Sequence, residues 1–385
     1  MYITYLNLIN FRNYRELSFE VPPNISVFWG ANAQGKTNLL ESICFLATTR
    51  FSRSIPDKEI INRHALSEKF PLSHLRADIR KRDKHIQIEI FIKPKYTSFY
   101  ESGTEELSLQ KHVRINGIAR RATDLMGQLN MVMFSPRDID LIGGEPSLRR
   151  RYLDITISQI DPRYLKALQR YNRVISQRNH LLRRIAAGQG RPDELPFWNS
   201  ELIKTGSYII AQRNETVFRL GQMAMPIHHR LTGGQEDLGM EYLASIQTAT
   251  LDITHIEHTF NESLNACRDK EISRGQSMVG PHRDDLAFVV DGINMGPYGS
   301  RGQQRTAALS LKLAESELIM SQTGETPVLL LDDVLSELDS HRREHLLESI
   351  SRYQQVLITT TDLERFPEDF LEAVQKYEIK NGTVL

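Results

Sequence analysis

The sequence predicts an α/β fold whose parallel sheet is split between the two ends of the chain, with an inserted, mainly helical lobe that carries a short antiparallel coiled-coil hairpin. A strand, a glycine-bearing loop and an apolar helix occur before residue 50, and the apolar strand Val328–Asp332 comes nearly 300 residues later. Between them the chain turns helical and basic. We therefore expect one lobe from residues 1–134 with 327–385 and a second from 135–326.

Composition restricts the protein class. The 385 residues have a net charge of zero, so global charge does not argue for or against nucleic acid. Cys44 and Cys267 are far apart and suggest neither a disulfide framework nor a zinc knuckle, which fits a reducing cytosol. The N-terminus alternates apolar and polar residues, unlike a signal peptide, and no apolar run approaches the ~20 residues of a membrane span. We expect a soluble cytoplasmic protein.

Hydrophobic periodicity places the elements of the predicted sheet lobe. Alternating or apolar runs predict strands at Tyr2–Ile9, Leu17–Val21, Ile25–Trp29, 85–93, 130–134 and Val328–Asp332, and an apolar helix at 36–48. These elements supply both halves of the split sheet.

Helical periodicity predicts the inserted lobe. One helix runs from Pro162 to about Ala187, residues 188–192 break it, and a second runs from about Leu195 to Met223. We interpret residues 162–223 as an antiparallel hairpin with a weak seam. The seam residues are Leu165, Leu168, Ile175 and Leu182, with Asn172 and Asn179 between them. A strand at Asp285–Val290 and a helix from about Gly302 to Met320 follow.

The segment after the strand Ile25–Trp29 matches the phosphate-loop pattern G-x-x-x-x-G-K-[ST] in its required strand–loop–helix context. Its residues are Gly30, Ala31, Asn32, Ala33, Gln34, Gly35, Lys36 and Thr37. The glycines let backbone N–H groups turn toward an anion, and the helix N-terminus adds positive potential. We expect Lys36 to reach the β- and γ-phosphates and Thr37 to ligate Mg²⁺.

Two carboxylates end the buried strand Val328–Asp332. Asp332 is the candidate Mg²⁺ ligand, and Asp333 is the candidate that orients or deprotonates an attacking water. Lys36, Asp332 and Asp333 are therefore the predicted catalytic residues.

Residues 149–184 hold ten Lys or Arg and two Asp, interleaved with tyrosines. A local basic stripe with aromatics is typical of nucleic-acid backbone binding, although a solvated helix face is the alternative. The predicted DNA-binding residues are Arg149, Arg150, Arg151, Arg163, Arg170, Arg173, Arg178 and Arg184.

Seven stretches together resemble a known family, the bacterial RecF recombination-mediator ATPases of the ABC/SMC-like class. The stretches are NFRNYREL (10–17), GANAQGKTNLLES (30–42), FSPRDIDLIGGEPSLRRRYLD (134–154), YNRVISQRNHLL (171–182), VGPHRDDL (279–286), SRGQQRTAALSLKLAE (300–315) and LLLDDVLSELD (329–339). They span nearly the whole chain, so the resemblance implies the split ABC-type ATPase head.

The resemblance also implies ATP and Mg²⁺ as ligands, with ATP held between two subunits. The signature segment 299–304 of one subunit would contact the nucleotide of the other. Further nucleotide-site residues implied by the resemblance are Arg12, Asn38, Ser300, Gly302, Gln303, Asp339 and Thr361. Asp333 stands where ABC ATPases usually have glutamate, so slow hydrolysis is expected, and Thr361 stands where they have the switch histidine.

In function, the resemblance implies an ATP-driven homodimer on single- and double-stranded or gapped DNA. It implies a weak, DNA-stimulated ATPase in recombinational repair and replication-fork maintenance, which helps RecO and RecR to load RecA at the nucleoid. Three alternatives remain. A transporter subunit is opposed by the long insertion and Thr361. A large SMC or zinc-hook protein is opposed by arms of about 25 residues, about 38 Å, without a CxxC. A non-catalytic nucleotide-gated DNA clamp remains open.

Overall fold

The computed structural model describes residues 1–49, 59–68, 71–82, 84–97, 106–248 and 250–385, with side chains of 94–97 and 106–108 left out. The strands are β1 Tyr2–Phe11, β2 Tyr14–Glu20, β3 Asn24–Trp29, β4 Ser73–Lys81, β5 Lys84–Thr97, β6 Glu106–Ile115, β7 Ile118–Arg120, β8 Met131–Phe134, β9 Leu238–Leu243, β10 Asp285–Val290, β11 Ile293–Asn294, β12 Val328–Asp332, β13 Gln355–Thr360, β14 Gln375–Lys380 and β15 Thr383–Val384.

The α-helices are α1 Lys36–Thr48, α2 Arg63–Leu66, α3 Ile139–Gly143, α4 Pro146–Ile160, α5 Pro162–Ala186, α6 Leu195–Leu231, α7 Ile253–Arg274, α8 Met295–Tyr298, α9 Arg301–Thr323, α10 Ser340–Ile350 and α11 Glu368–Ala373. The predicted helix at 36–48 and the predicted strands at 285–290 and 328–332 are confirmed. None of the helices in the described ranges combines the length and hydrophobicity that crossing a membrane requires.

The chain folds into two compact units, residues 1–136 with 319–385 and residues 137–318. The sequence placed the lobe boundaries at 134/135 and 326/327. In the structure the last turns of α9, from Ile319 onward, belong to the first unit.

The first unit contains the split sheet, in the order β15-β14-β3-β13-β12-β8. Strands β14, β3, β13, β12 and β8 run parallel to one another. β3 and β8 come from the N-terminal part of the chain and β12, β13 and β14 from the C-terminal part. The carboxyl ends of β3, β13 and β12 therefore lie at one edge, where ligands of open α/β sheets bind.

Helix α1 lies in the core of this unit. Most of its side chains are buried, among them Leu39, Leu40, Ile43 and Phe45, because it packs against strands of the parallel sheet and of an antiparallel sheet. The antiparallel sheet has the order β2-β1-β4-β5-β6-β7. A helix that is apolar on nearly every side requires such two-sided cover, and the cover fixes its N-terminus beneath the phosphate loop.

The second unit is mainly helical. Helices α5 and α6 form the predicted antiparallel hairpin, with α7 packed against both. A small antiparallel sheet, β11-β10-β9, packs on α4 and α6.

The predicted seam of the hairpin is wrong in register. Leu165, Leu168 and Ile175 are only half-buried. The buried stripe of α5 is Tyr164, Tyr171, Val174, Arg178, Leu181 and Leu182. Because α5 packs against α7 as well as α6, a wider arc of the helix is covered than in a two-helix coiled coil.

The second arm also ends later than predicted. Helix α6 continues through Pro226 to Leu231 instead of ending at Met223. Proline removes one helical hydrogen bond, but Ala224, Ile227 and Leu231 on the same face are buried. Their packing outweighs the local preference to end the helix.

Candidate functional site

The loop between β3 and α1 has the backbone geometry of an anion nest. Gly30 has a φ of 152° and Gly35 a φ of 116°. A Cβ on Gly30 would lie 2.4 Å from the carbonyl oxygen of Ile379, and one on Gly35 would lie 2.4 Å from Nδ2 of Asn13. Both positions therefore require glycine. The loop ends at Lys36, the first residue of α1, whose N-terminal N–H groups are available to an anion.

The turn after β1 braces this loop from outside. Asn13 Nδ2 donates to the Gln34 carbonyl at 2.9 Å, and Asn38 Nδ2 donates to Asn13 Oδ1 at 2.7 Å. The buried Tyr14 hydroxyl donates to the Gly35 carbonyl at 2.9 Å. Asn13, the sequence neighbour of Arg12, contacts the loop from a distant part of the chain. These bonds hold the loop in shape before any ligand binds.

The Lys36 side chain lies across the loop. Its Nζ donates to the carbonyls of Gly30 at 2.7 Å and Ala31 at 2.8 Å. An ammonium has three N–H donors, so one remains for a phosphate. Burial lowers the pKa of Lys36, and the nearby Asp333 and Asp332 oppose that shift.

Asp332 lies beside the phosphate loop, as predicted from the sheet edge. Thr37 Oγ1 donates to Asp332 Oδ1 at 2.9 Å. Thr359 Oγ1, at the end of β13, donates to the same oxygen at 2.8 Å. The sequence analysis missed Thr359. A run of threonines at the end of an apolar strand is the sequence pattern that could have indicated this residue.

Asp333 has a backbone that few non-glycine residues adopt. Its φ is 51°, and its N–H donates to both the carbonyl and Oγ1 of Thr359 at 3.1 Å. Burial raises the pKa of its carboxyl, and Asp332 raises it further, while Lys36 acts in the opposite direction. No donor among the described residues forms a hydrogen bond to the buried Oδ1 of Asp333. An orphaned carboxylate oxygen beside a phosphate loop is suited to accept a bond from water.

The donor set at this edge fits a nucleotide with Mg²⁺. Thr37 and Asp332 supply hard oxygen ligands side by side, and Mg²⁺ usually takes one or two protein oxygens and completes its shell with phosphate and water. The glycine nest and Lys36 supply the complement to the phosphates.

A cleft of about 630 Å³ opens beside the loop. Its lining includes Arg12, Asn13, Asn38, Asn62 and His64. The predicted nucleotide-site residues Arg12 and Asn38 thus lie next to the phosphate loop. The Arg12 guanidinium is largely buried and donates to Glu41 at 2.7 Å. Arg12 therefore lines the cleft as a member of an ion pair and is not a free cation.

The signature segment begins α9 with a capping box. Ser300 Oγ accepts from the Gln303 N–H at 3.2 Å, and Gln303 Oε1 accepts from the Ser300 N–H at 3.1 Å. The segment therefore caps its own helix. It leaves the hydroxyl hydrogen of Ser300 available, because the oxygen acts in the cap only as an acceptor.

No steric contact in the described part of the chain requires glycine at position 302. A Cβ there would come within 4 Å of Ser300 Oγ alone, at 3.9 Å. The neighbouring Arg301 is exposed. The absent side chain thus leaves the start of the helix open to a group from outside the unit.

Asp339 and Thr361 are further nucleotide-site residues that the resemblance implied. Asp339 is the N-cap of α10 and accepts from the Arg342 N–H at 2.9 Å, a bond that lowers the pKa of the carboxyl. Thr361 follows β13, but the threonine that contacts Asp332 is Thr359.

Two of the predicted DNA-binding arginines are buried in ion pairs, and their assignment to a DNA surface is corrected. Arg149 forms a two-pronged pair with Asp285, with bonds of 2.6 and 2.8 Å. Arg178 is 1% exposed and its guanidinium donates to Glu271 at 2.5 Å. A charge buried with its partner is costly to separate, so neither side chain is available to a phosphate.

The other predicted arginines differ in exposure. Arg163, Arg170, Arg173 and Arg184 are exposed on α5. Arg170 pairs with Glu201 through a bond of 2.6 Å. Arg150 and Arg151 are half-buried, and Arg150 donates to the Asp284 carbonyl at 2.8 Å. Fewer of the predicted DNA-binding arginines are therefore exposed to solvent than the charge count indicated.

The segment 280–285 had no role assigned from sequence. It holds the second unit together. Arg213 donates to the Pro281 carbonyl at 2.6 Å, Tyr171 bonds to His282 Nδ1 at 2.7 Å, and Asp284 accepts from the Ser245 N–H at 2.6 Å. Burial lowers the pKa of His282 to about 4.

The outer part of β5–β7 forms a basic cleft of about 430 Å³ that the sequence analysis missed. Its lining holds the cations Lys93, Lys111, Arg114 and Arg120 and, within the described part of the chain, no acid. Arg114 lies over the Phe91 ring at 5.3 Å. These residues come from three strands, so no local charge run marks them.

Fold and site together define the head of an ABC/SMC-type ATPase. The family model "RecF/RecN/SMC N terminal domain" matches residues 2–382. An SMC head domain from Pyrococcus furiosus has a TM-score of 0.52 at 14% identity over 100% of this chain and 95% of its own, which supports the fold alone.

Relatives with higher sequence identity indicate one family within this class. The "DNA replication and repair protein RecF" of Chloroflexus aurantiacus is 43% identical over 100% of this chain and 99% of its own. The structure titled "Structure of the recombination mediator protein RecF-ATP in RecFOR pathway" has a TM-score of 0.86 at 32% identity, covering 100% of this chain and 97% of that one. This chain belongs to the RecF family.

Proposed function

We propose that this chain is an ATP-dependent DNA-binding protein of recombinational repair and replication-fork maintenance, in which ATP closes a homodimer on DNA and slow hydrolysis releases it. The observation that carries the proposal is the cluster of Lys36, Thr37, Asp332 and the orphaned Asp333 oxygen at one sheet edge. Relatives named for DNA replication, repair and the RecFOR pathway support the biological role. By the same likeness, we propose cooperation with RecO and RecR in loading RecA.

Each residue of the cluster has a task. The loop N–H groups and Lys36 bind the phosphates, and Thr37 and Asp332 hold Mg²⁺, which neutralises phosphate charge when bound. Asp333 accepts a hydrogen bond from the attacking water and takes its proton. An aspartate reaches less far than the glutamate common in ABC ATPases, and we propose slow turnover for that reason.

We propose that the signature segment acts on the nucleotide of the partner subunit. Its open helix N-terminus and the free hydroxyl hydrogen of Ser300 suit a phosphate oxygen. ATP then favours the dimer because it contacts both subunits only in the closed state. Asp339 remains a proposed interface residue, and Thr361 remains a proposed nucleotide-site residue.

Lys36→Met tests this proposal. Sedimentation velocity should show wild-type dimers with ATP but not with ADP, whereas the variant should stay monomeric with ATP. Thr360→Val, a nearby buried change that touches no proposed phosphate ligand, is the control. A Lys36→Met protein that dimerises normally with ATP, or a wild type indifferent to ATP, would refute the proposal.

For DNA, we propose contacts from the exposed arginines of α5 and from the basic cleft of β5–β7. Changing Arg163, Arg173 and Arg184 to Gln should weaken the salt dependence of DNA binding. The slope of log K against log salt should become less negative by about 2.7, at about 0.9 per lost phosphate contact. The matched control changes Arg219, Arg230 and Arg268, which are exposed outside α5. A triple α5 variant with the same slope as the wild type would exclude the α5 surface.

A further inference from the structure

Glu236, in the loop after α6, joins the signature segment to the interior of the second unit. Gln303 Nε2 donates to Glu236 Oε1 at 2.9 Å. The other carboxylate oxygen lies 3.1 Å from Nε2 of His228, which is fully buried near the end of α6. The Glu236 side chain itself is 21% exposed. One carboxylate therefore bridges a surface residue of the signature and a core histidine.

His228 is held from both sides of its ring. Its Nδ1 lies 3.1 Å from Ser310 Oγ, which lies 2.8 Å from the Thr306 carbonyl oxygen. Its Nε2 meets one oxygen of Glu236, and the other oxygen of Glu236 accepts from Gln303. The buried ring therefore anchors the carboxylate that contacts the signature segment.

The bridge determines the orientation of the Gln303 carboxamide. Its Oε1 accepts from the Ser300 N–H, and its Nε2 is held by Glu236. The Gln303 N–H in turn donates to Ser300 Oγ. Fixing Gln303 thus fixes the cap and the direction in which the Ser300 hydroxyl hydrogen can point.

We propose that Glu236 is a positioning residue that holds the signature segment ready for the phosphate of a partner subunit's nucleotide. The inference rests on the proposed function. The contact with His228 anchors the Glu236 carboxylate from the interior, so that its other oxygen faces Gln303.

The test compares Glu236→Ala with Glu236→Gln. Glutamine can still accept from Gln303 through its oxygen and can reach Nε2 of His228 with its amide, so it preserves the geometry. Alanine removes both bonds. Glu241→Ala, at an exposed position on β9, is the matched control.

Sedimentation with ATP should give a dimer constant at least about tenfold weaker for Glu236→Ala, since a bond to a charged group contributes about that factor or more. Glu236→Gln and Glu241→Ala should stay within about threefold of wild type. ATP binding to the monomer, measured with a fluorescent ATP analogue, should be unchanged in all of them.

A second measurement separates positioning from general destabilisation. In a Gln303→Ala background, Glu236→Ala should cause no further loss of dimerisation, because the two residues act through one bond. Additive losses, a Glu236→Ala protein that dimerises like wild type, or a Glu236→Gln protein as weak as Glu236→Ala would each overturn the inference. Absence of ATP-driven dimerisation in the wild type would instead refute the proposed function.

Discussion

Thr359→Val tests whether the proposed Mg²⁺ ligand and the proposed water-orienting acid depend on one hydroxyl. Thr359 is 1% exposed, donates to Asp332 Oδ1 at 2.8 Å and accepts from the Asp333 N–H at 3.1 Å. Valine has nearly the same shape, so the substitution removes the hydroxyl and leaves the packing of β13 nearly unchanged.

The size of the effect follows from what each acid retains. Asp332 keeps its bond from Thr37, and the Asp333 N–H keeps its bond to the Thr359 carbonyl. The main loss is one hydrogen bond to a carboxylate, about 2 kcal/mol. If that bond orients the acids in the transition state, kcat should fall about 30-fold while ATP affinity changes little.

The assay is steady-state ATP turnover beside equilibrium ATP binding and thermal unfolding. Thr360→Val is the matched control, since Thr360 is also buried and, within the described ranges, its hydroxyl bonds to the backbone of Asp362 alone. It should lose stability to a similar extent but keep its turnover. Equal kcat in the two variants, or a Thr359→Val defect confined to ATP binding, would refute the proposed role.

Three further variants test the phosphate loop, the charge of Asp333 and the buried Arg178. Gly35→Ala should lose ATP binding and unfold at lower temperature in a thermal melt, because its Cβ would lie 2.4 Å from Asn13 in a backbone of positive φ. Asp333→Asn should abolish turnover yet raise the melting temperature at pH 7. The raised pKa means that the folded chain binds this proton more readily than the unfolded chain, so ionised Asp333 costs stability above its folded pKa; the gain should shrink as the pH falls toward about 4, and a gain independent of pH would contradict this. Arg178→Ala should cost about 3–5 kcal/mol in denaturant unfolding, because Glu271 is left buried without its partner. The salt dependence of DNA binding should not change, and a flatter slope would return Arg178 to the DNA surface.

The parts of the site that the sequence predicted are local in the chain. The phosphate loop needs a strand, two glycines and a helix in succession, and Asp332 and Asp333 directly follow an apolar strand. Their meeting at one sheet edge followed from strand direction alone. The α/β head with an inserted helical hairpin was predictable for the same reason, and the structural neighbours confirm it.

The parts that the sequence did not predict are bonds between distant segments. Thr359 acts on the site through a contact that no periodicity reveals. The seam of α5 was misplaced because Tyr164 and Tyr171 were counted with a polar stripe, whereas their rings fill the interior.

The buried arginines explain why a charge count overestimated the DNA surface. Counting charge treats every cation as solvated, but a guanidinium can be buried when carboxylates and carbonyls satisfy its donors. Arg178 meets Glu271, Asn199 and Ser277, while Arg149 meets Asp285 and the Gly144 carbonyl. These bonds tie α5 to α7 and α4 to β10. The buried members of this basic run therefore fix the helices in place. The same framework holds the exposed arginines, which are the proposed phosphate contacts, at constant spacing.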